Sequence, residues 1–416
     1  MLEAIAVTGE DNNGGITRLG YTERERTAHH IVAQWWSEIG AHVTVDAAGN
    51  TIGELPGRRP RAPAIGMGSH LDSVVNGGRF DGVVGVVAAT EVLRIAVARG
   101  GFQHPLRCVA FAAEEGARFG QACLGSRMVT GLTVRSDLDR VLDRDGRSVA
   151  DAMRSVGLDP DGVERARWNP EDWLAFFEMH VEQGSVLERE KAEIGLVDLV
   201  SGSTRLELRI AGRSSHSGGT PMRARSDALT AAAEVVLVAE SIALDPRHRG
   251  TRVTVGRLDI EPGEITTIPG RARIYVDVRD VDSDRQRQTA NLITQRARSI
   301  CDRRGTAFAA EVLADTSPVV LPAWLRDVAA EACNRVGASY RVLDSGASHD
   351  AQIVNRIVPA CIVFVPSRAG LSHVPEEWTS VADIARGIDV CARTLAVLDE
   401  RIEEWTQPAA TESPTP

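Results

Sequence analysis

Short apolar runs alternate with helical stretches along most of this 416-residue chain, and that alternation excludes most folds. APAIGMGSHLD (62–72), PLRCVAFAAEE (105–115), LAFFEMHVEQG (174–184) and ACIVFVP (360–366) read as buried strands running into loops. Between them, residues 23–40 place Ala28, Ile31, Val32, Trp35, Trp36 and Ile39 at helical spacing, with Gly40 as the stop. DGVVGVVAATEVLRIAVARG reads as a helix starting near Asp81, WLRDVAAEACNRV as another, and a last helix runs from about Val381 to Glu404. AHVTVDAAGN alternates like a strand, and segment 136–170 is polar with short helical pieces. Strands alternating with helices predict an α/β domain with a mostly parallel, mixed sheet.

From about 204 to 315 the rhythm changes. TRLELRIAG, TRVTVGRLDI, RARIYVDVRD and AFAAEVLAD alternate, while DALTAAAEVVLVAESIAL and DRQRQTANLITQRARSICDRRG are helical. That β-α-β-β-α-β order is ferredoxin-like. It predicts an inserted α+β domain at 204–315 that splits a larger domain into 1–203 and 316–405, with 406–416 as a disordered tail.

Composition narrows the function. With 43% apolar and 25% charged residues the chain is an ordinary globular protein, and a net charge of −10 argues against a basic nucleic-acid groove. The expected partner is a small molecule, with no nucleic acid and no membrane. The apolar stretches 82–98 and 228–244 are interrupted by Glu91 and Arg94, and by Glu234 and Glu240, so neither suits a bilayer. MLEAIAVTGEDNNGG has no secretory pattern, and the six cysteines lack C-x-x-C spacing, so the expected location is the cytoplasm. Lys191 is the only lysine; no phosphate-binding G-x-x-x-x-G-K-[ST] and no G-x-S-x-G elbow exist. Nucleotide hydrolysis, pyridoxal chemistry and the common serine-hydrolase route are thereby disfavoured.

The ten histidines are few enough to sort. His70 lies just past a strand, and Asp72, two residues on, is placed to accept from its second ring nitrogen. Asp81 follows in NGGRFDGV, Glu114 and Glu115 end the next strand, His180 ends another, and His373 follows ACIVFVP. Alone, a histidine at a strand end is more often a capping or packing residue, and a Glu pair more often a solvated turn. Together they converge on the carboxyl edge of a parallel sheet, where ligands bind. Mixed His/carboxylate sets suit zinc and related divalent metals, and five ligands suit two ions sharing a bridge, ~3.5–4 Å apart in two-metal hydrolases. His29, His30, His42, His104 and His248 have no such company and read as structural.

The motifs GSHLDSVVNGGRFDGVVGV, AAEEGARFG, EMHVEQG, GRSSHSGGTPM, SGASHDA and VPSRAGLSHVPEE make the chain similar to N-carbamoyl-L-amino-acid hydrolases, β-ureidopropionases and allantoate amidohydrolases, from about Gly15 to Ala382. These belong to the clan of dinuclear zinc aminoacylases and carboxypeptidases. The resemblance implies two divalent metal ions, Zn²⁺ first and Mn²⁺, Co²⁺ or Ni²⁺ as alternatives. One would be held by His70, Asp81 and His180, the other by Asp81, Glu115 and His373, with Asp81 bridging. It implies Glu114 as general base, Gln183 facing substrate, and His216 donating to the oxyanion, reaching the partner's site in a homodimer. It also implies Arg279 as a carboxylate clamp and a lid that dimerises; His349 and Asp350 are left between structural and substrate-facing roles. Two positions depart from the family pattern: Thr266 stands where the family carries Asn, and Ser348 where it carries Gly. The expected activity is hydrolysis of a linear C–N amide or ureido bond, such as an N-carbamoyl-L-amino acid to amino acid, CO2 and ammonia. N-acyl-amino-acid deacylase or dipeptidase activity on the same centre is the alternative, and an inactive binding module the remote one.

Overall fold

A computed structural model describes residues 1–406. The final helix, Val381–Thr406, takes in Thr406, the first residue of the expected tail; residues 407–416 lie outside the described residues. The chain forms two compact units, one running to Asp198 and resuming at Leu321, the other comprising Leu199–Val320.

The first unit opens with β1 (His42–Val45), β2 (Thr51–Leu55), β3 (Ala64–His70), β4 (Leu106–Phe111), β5 (Trp173–Val181) and β6 (Ile194–Val200). The second unit carries β7 (Gly202–Ala211), β8 (Ser215–His216), β9 (Arg252–Glu261), β10 (Thr267–Ile268), β11 (Arg271–Asp280), β12 (Ala307–Thr316) and β13 (Val319–Val320). The return to the first unit adds β14 (Tyr340–Ser345) and β15 (Ala360–Val365).

The first unit's sheet runs β1-β2-β4-β3-β5-β15-β6, with β14 also on β6. Its centre, β4-β3-β5-β15, is parallel throughout. β1, β2 and β6 add antiparallel margins. Every residue of β3 and β15 is buried, as expected of strands covered on both faces. Ile65, Met67, Phe177, Met179, Cys361 and Val363 share one core with the Val83–Ala98 helix and with Val390 and Leu395 of the last helix. Each such side chain contributes about 1.5–3 kcal/mol on burial. The Glu23–Ile39 helix stops where its sequence predicts, Gly40 turning left-handed at φ 96°, and at its start Thr22 accepts from the Glu25 N–H. β14 escapes a sequence reading because it is exposed along most of its length and carries no apolar run. Among the described residues no helix is long and apolar enough to cross a membrane.

The second unit is a sheet in the order β12-β7-β11-β9, antiparallel at every pairing. β11 shows why: its even-numbered residues, including Ala272, Ile274, Val276 and Val278, are buried while the odd ones face outward. The buried face meets Ala231, Val235 and Ala239 of the Ala228–Leu244 helix and Ile293, Ala297 and Ile300 of the Ser283–Arg304 helix. The unit starts and ends five residues beyond the expected 204–315, because Val319 and Val320 pair with Val200 and Leu199 and knit its two ends together.

Candidate metal centre

Four parallel strands end on one edge, and the loops leaving that edge carry the candidate ligands. β3 ends in His70 itself, and the following loop brings back Asp81. Gly82 then turns at φ 65° with its Cα against the His70 ring; a Cβ there would lie 2.4–2.5 Å from three ring atoms. Only glycine fits. β4 stops at Phe111, short of the Glu114–Glu115 pair, because Ala113 takes a left-handed φ of 54°. Three successive amides are captured there by buried carboxylates. The N–H of Ala113 donates to Glu25 Oε1 (2.8 Å), and those of Glu114 and Glu115 donate to Asp72 Oδ1 (2.8 Å) and Oδ2 (3.0 Å). β5 delivers His180, and His373 follows β15 at φ 60°.

Asp81 sits between two groups. Its Oδ1 lies 3.1 Å from His180 Nε2 and 3.5 Å from His70 Nε2; its Oδ2 lies 3.4 Å from His373 Nε2. His373 Nε2 is in turn 3.3 Å from Glu115 Oε2. One carboxylate oxygen thus faces each side, the disposition a bridging ligand needs. The tautomers agree: the Nδ1 atoms of His70 and His180 face the carbonyls of Asp72 (3.1 Å) and Val181 (2.9 Å), directing both Nε2 lone pairs at Asp81. Asp72 therefore serves His70 chiefly through its backbone oxygen, its carboxylate lying farther off at 3.5 Å and holding the Glu114 and Glu115 amides instead.

The electrostatics call for a cation. Burial opposes protonation of His180, yet the Asp81 carboxylate holds it up at about 9; His70, next to Asp72 and Asp81, is likewise raised against its burial. A divalent ion supplies the same positive charge while leaving the imidazoles neutral. Glu115 Oε1 is buried with no hydrogen-bond partner, an oxygen the donor set leaves over for such an ion. His70, Asp81 and His180, and separately Asp81, Glu115 and His373, bring their ligand atoms within 4.8 Å of one another. The residues fit two divalent ions. Glu114, beside them, is buried; desolvation outweighs the opposing pull of His70 and holds it up at about 7. Its Oε2 lies 3.8 Å from His70 Nε2, while the Cys123 thiol donates to Oε1 at 3.0 Å.

The remaining expected residues fall in several places. Gln183 Nε2 donates to Asp81 Oδ2 at 2.7 Å, so this side chain touches a candidate ligand directly. His349 is buried, its ring edge-on to His180 at 4.7 Å and its Nε2 2.8 Å from Ser345 Oγ, a position behind the ligand layer. Asp350 is buried beside it and accepts from Ser126 Oγ. Glu178, His180 and His349 form a third cluster, but both Glu178 oxygens are engaged, by Ser69 Oγ and the Ala351 N–H, each at 2.7 Å. His216, Thr266 and Arg279 belong to the second unit. There His216 pairs with Thr267 across the β8-β10 ribbon, and the Thr266 carbonyl accepts from the Ser217 N–H. The N–H groups of Gly218 and Gly219 both donate to His216 Nδ1, at 3.0 and 3.1 Å, which puts the ring proton on Nε2. Arg279 Nε donates to Asp277 Oδ2 at 2.8 Å. Of the histidines read as structural, His29 meets Thr51, His104 meets Asp399 and His248 meets Thr289. Sequence reasoning gave no role to Glu25, Cys123, Ser372 or Glu377; the last two stand in VPSRAGLSHVPEE beside His373, whereas Glu25 and Cys123 have only proximity in space as a signal.

The pattern of Peptidase family M20/M25/M40 matches residues 66–397. An N-carbamoyl-L-amino acid amidohydrolase of Geobacillus stearothermophilus is 39% identical over 396 residues, 95% of this chain and 96% of that one. An N-carbamoyl-L-amino-acid amidohydrolase of Paenarthrobacter aurescens is 38% identical over 386 residues, 92% of this chain and 93% of its own. Among solved structures, AtUAH in complex with (S)-hydroxyglycine superposes with a TM-score of 0.91 at 31% identity, over 96% of both chains.

Proposed function

The chain belongs to peptidase family M20/M25/M40, and from that premise we propose that it hydrolyses the ureido bond of an N-carbamoyl-L-amino acid or related ureido acid, giving amino acid, CO2 and ammonia. It is a hydrolase of amide and ureido bonds. The observation that carries the reading is the Asp81 carboxylate, with one oxygen toward His70 and His180, the other toward His373, and Glu114 buried alongside.

His70, Asp81 and His180, and Asp81, Glu115 and His373, would hold two divalent cations, Zn²⁺ in the first instance, which when bound would supply Lewis acidity toward the substrate carbonyl and the attacking water. Glu114 accepts the proton of that water and passes it to the leaving nitrogen, a task suited to a carboxyl near 7. Its Oε1 is occupied by the Cys123 thiol, which leaves Oε2 as the working oxygen. His216 donates its Nε2 proton to the developing oxyanion; the Gly218 and Gly219 amides supply the tautomer for it. In a homodimer this donor comes from the partner subunit, with residues 199–320 as lid and dimerisation domain. Arg279 receives the substrate carboxylate, with Thr266 in place of a second donor. Gln183 orients Asp81 as well as meeting substrate. The six free, buried cysteines support the expected cytoplasmic location.

The family also includes peptidases, and an N-acyl-amino-acid or dipeptide substrate would use the same groups. Turnover of N-carbamoyl, N-acetyl and N-formyl amino acids and of dipeptides by metal-reconstituted protein tests the proposal. Turnover confined to acyl or peptide substrates would refute the ureido assignment.

A further inference from the structure

Glu377 is buried, only 3% exposed, and is not among the ligands of either cation. Its carboxylate nevertheless ties together the loops that carry Asp81 and His373. Oε1 accepts from the N–H groups of Phe80 and Asp81, both at 3.0 Å. Oε2 accepts from Ser372 Oγ at 2.7 Å, and that hydroxyl is also 3.0 Å from Asp81 Oδ2. Asp81 is therefore held from its backbone, and its side chain lies against the Ser372 hydroxyl that Glu377 engages.

The seat is shaped for this group. At Gly78 a Cβ would lie 2.3 Å from Glu377 Oε1 and 2.4 Å from its Cδ, so the loop before Asp81 leaves room for the carboxylate. Next to it, Trp378 meets Phe80 edge-on at 5.4 Å, a second tie between the same segments. His373 lies within this second segment, at a left-handed φ of 60° that has to be held by its surroundings.

The geometry points to Glu377 as a positioning residue of the metal centre, fixing the bridging Asp81 in register with His373. The inference rests on the two-cation reading above. A shared ligand has to present both oxygens at fixed angles, and groups that orient metal ligands are typically worth about 10–100-fold in metal affinity.

Reach, rather than charge, is what this role requires. In Glu377→Gln the amide oxygen still accepts from Phe80 and Asp81, and the amide nitrogen donates to Ser372, freeing the serine proton for Asp81. In Glu377→Asp the charge stays but the shorter side chain cannot span both partners. The test is Zn²⁺ binding alone, by elemental analysis and chelator competition, on the full chain carrying Glu377→Gln, Glu377→Asp or Glu377→Ala. Wild type is expected to hold two ions; Gln within about threefold of its affinity, and Asp and Ala weaker by about 10–100-fold for at least one ion. Wild-type affinity in the Asp or Ala variant, or equal losses in Gln and Asp, would overturn the inference. If Ala fails to fold, the Gln–Asp contrast still decides. A wild-type chain that holds fewer than two ions would overturn the two-cation centre itself, a distinct result.

Discussion

Gly82→Ala is the smallest change that reaches the metal centre, and the structure sets its cost. Two effects add. The first is the backbone: at φ 65°, ψ −48° an alanine sits in a sparsely populated conformation outside the left-handed α well, which costs about 1–3 kcal/mol. The second is steric. The new Cβ would lie 2.4 Å from His70 Cε1 and 2.5 Å from both ring nitrogens, well inside contact distance. A rigid ring in a buried site cannot yield without leaving its place, and such overpacking costs about 1–3 kcal/mol more. His70 then no longer faces Asp81 Oδ1, while Glu115 and His373 keep their side of the centre. Bound metal should drop from two ions per chain toward one, and kcat by ~10²-fold or more, since a whole Lewis-acid site is lost. Gly101→Ala is the control: its φ is 87°, but no atom lies within 4 Å of the added Cβ, so it bears only the backbone cost. Elemental analysis, turnover and thermal unfolding of both variants separate strain from displacement. Two ions and full activity in Gly82→Ala would refute the argument.

Glu114→Gln should keep both metals and lose ~10²-fold or more in kcat, because an amide cannot take the proton; full activity would remove Glu114 from the mechanism. His216→Ala should cost ~10²–10³-fold in kcat, and mixing it with Glu114→Gln should restore activity in re-formed dimers if the donor crosses subunits. No recovery despite proven subunit exchange would confine His216 to its own chain. Thr266→Asn should raise kcat/KM for N-carbamoyl-amino acids by about ten- to a hundredfold at unchanged metal content, since it adds a hydrogen bond to a charged group; no gain would show that the carboxylate is already satisfied. Burial lifts Glu25 to about 7 and Asp46 to about 6, above the values near ~4 of an unfolded chain, so the folded state holds these protons more tightly. Stability is then greatest below about pH 4 on this account and is lost as pH rises through 6 and 7. Glu25→Ala combined with Asp46→Ala should flatten that slope in chelator-treated protein, and an unchanged slope would contradict it.

The sequence reading went furthest where burial leaves a one-dimensional trace. β3 and β15 are apolar because both faces are covered, and Gly40 marks a helix end because left-handed backbone favours it. The candidate ligands are legible because they lie at or beyond the ends of buried strands. Their supports are not. Glu25 sits among Glu23, Arg24 and Arg26, a run that reads as a solvated helix turn, yet it is fully buried and holds the Ala113 amide. Asp72, two residues on from His70, reads as a partner of its ring and lies 3.5 Å from it, but that its carboxylate also caps amides on another loop has no trace in the spacing. The sequence predicts a strand that ends at the 114–115 pair, but the left-handed turn at Ala113, which no side chain announces, ends it earlier.

The join between the two units has a consequence for the gene. The Leu321 N–H donates to the Asp198 carbonyl at 2.9 Å, so the chain leaves the first unit and comes back to it at adjacent points. A tight turn from Asp198 to Leu321 would splice out residues 199–320 and leave β5, β15 and all five candidate metal ligands in a continuous shorter polypeptide. The excised stretch keeps a core of its own, with Leu208, Ile274 and Ala297 fully buried inside it. Exchange between homologues at these two codons would recombine one metal centre with different versions of the segment that carries His216, Thr266 and Arg279.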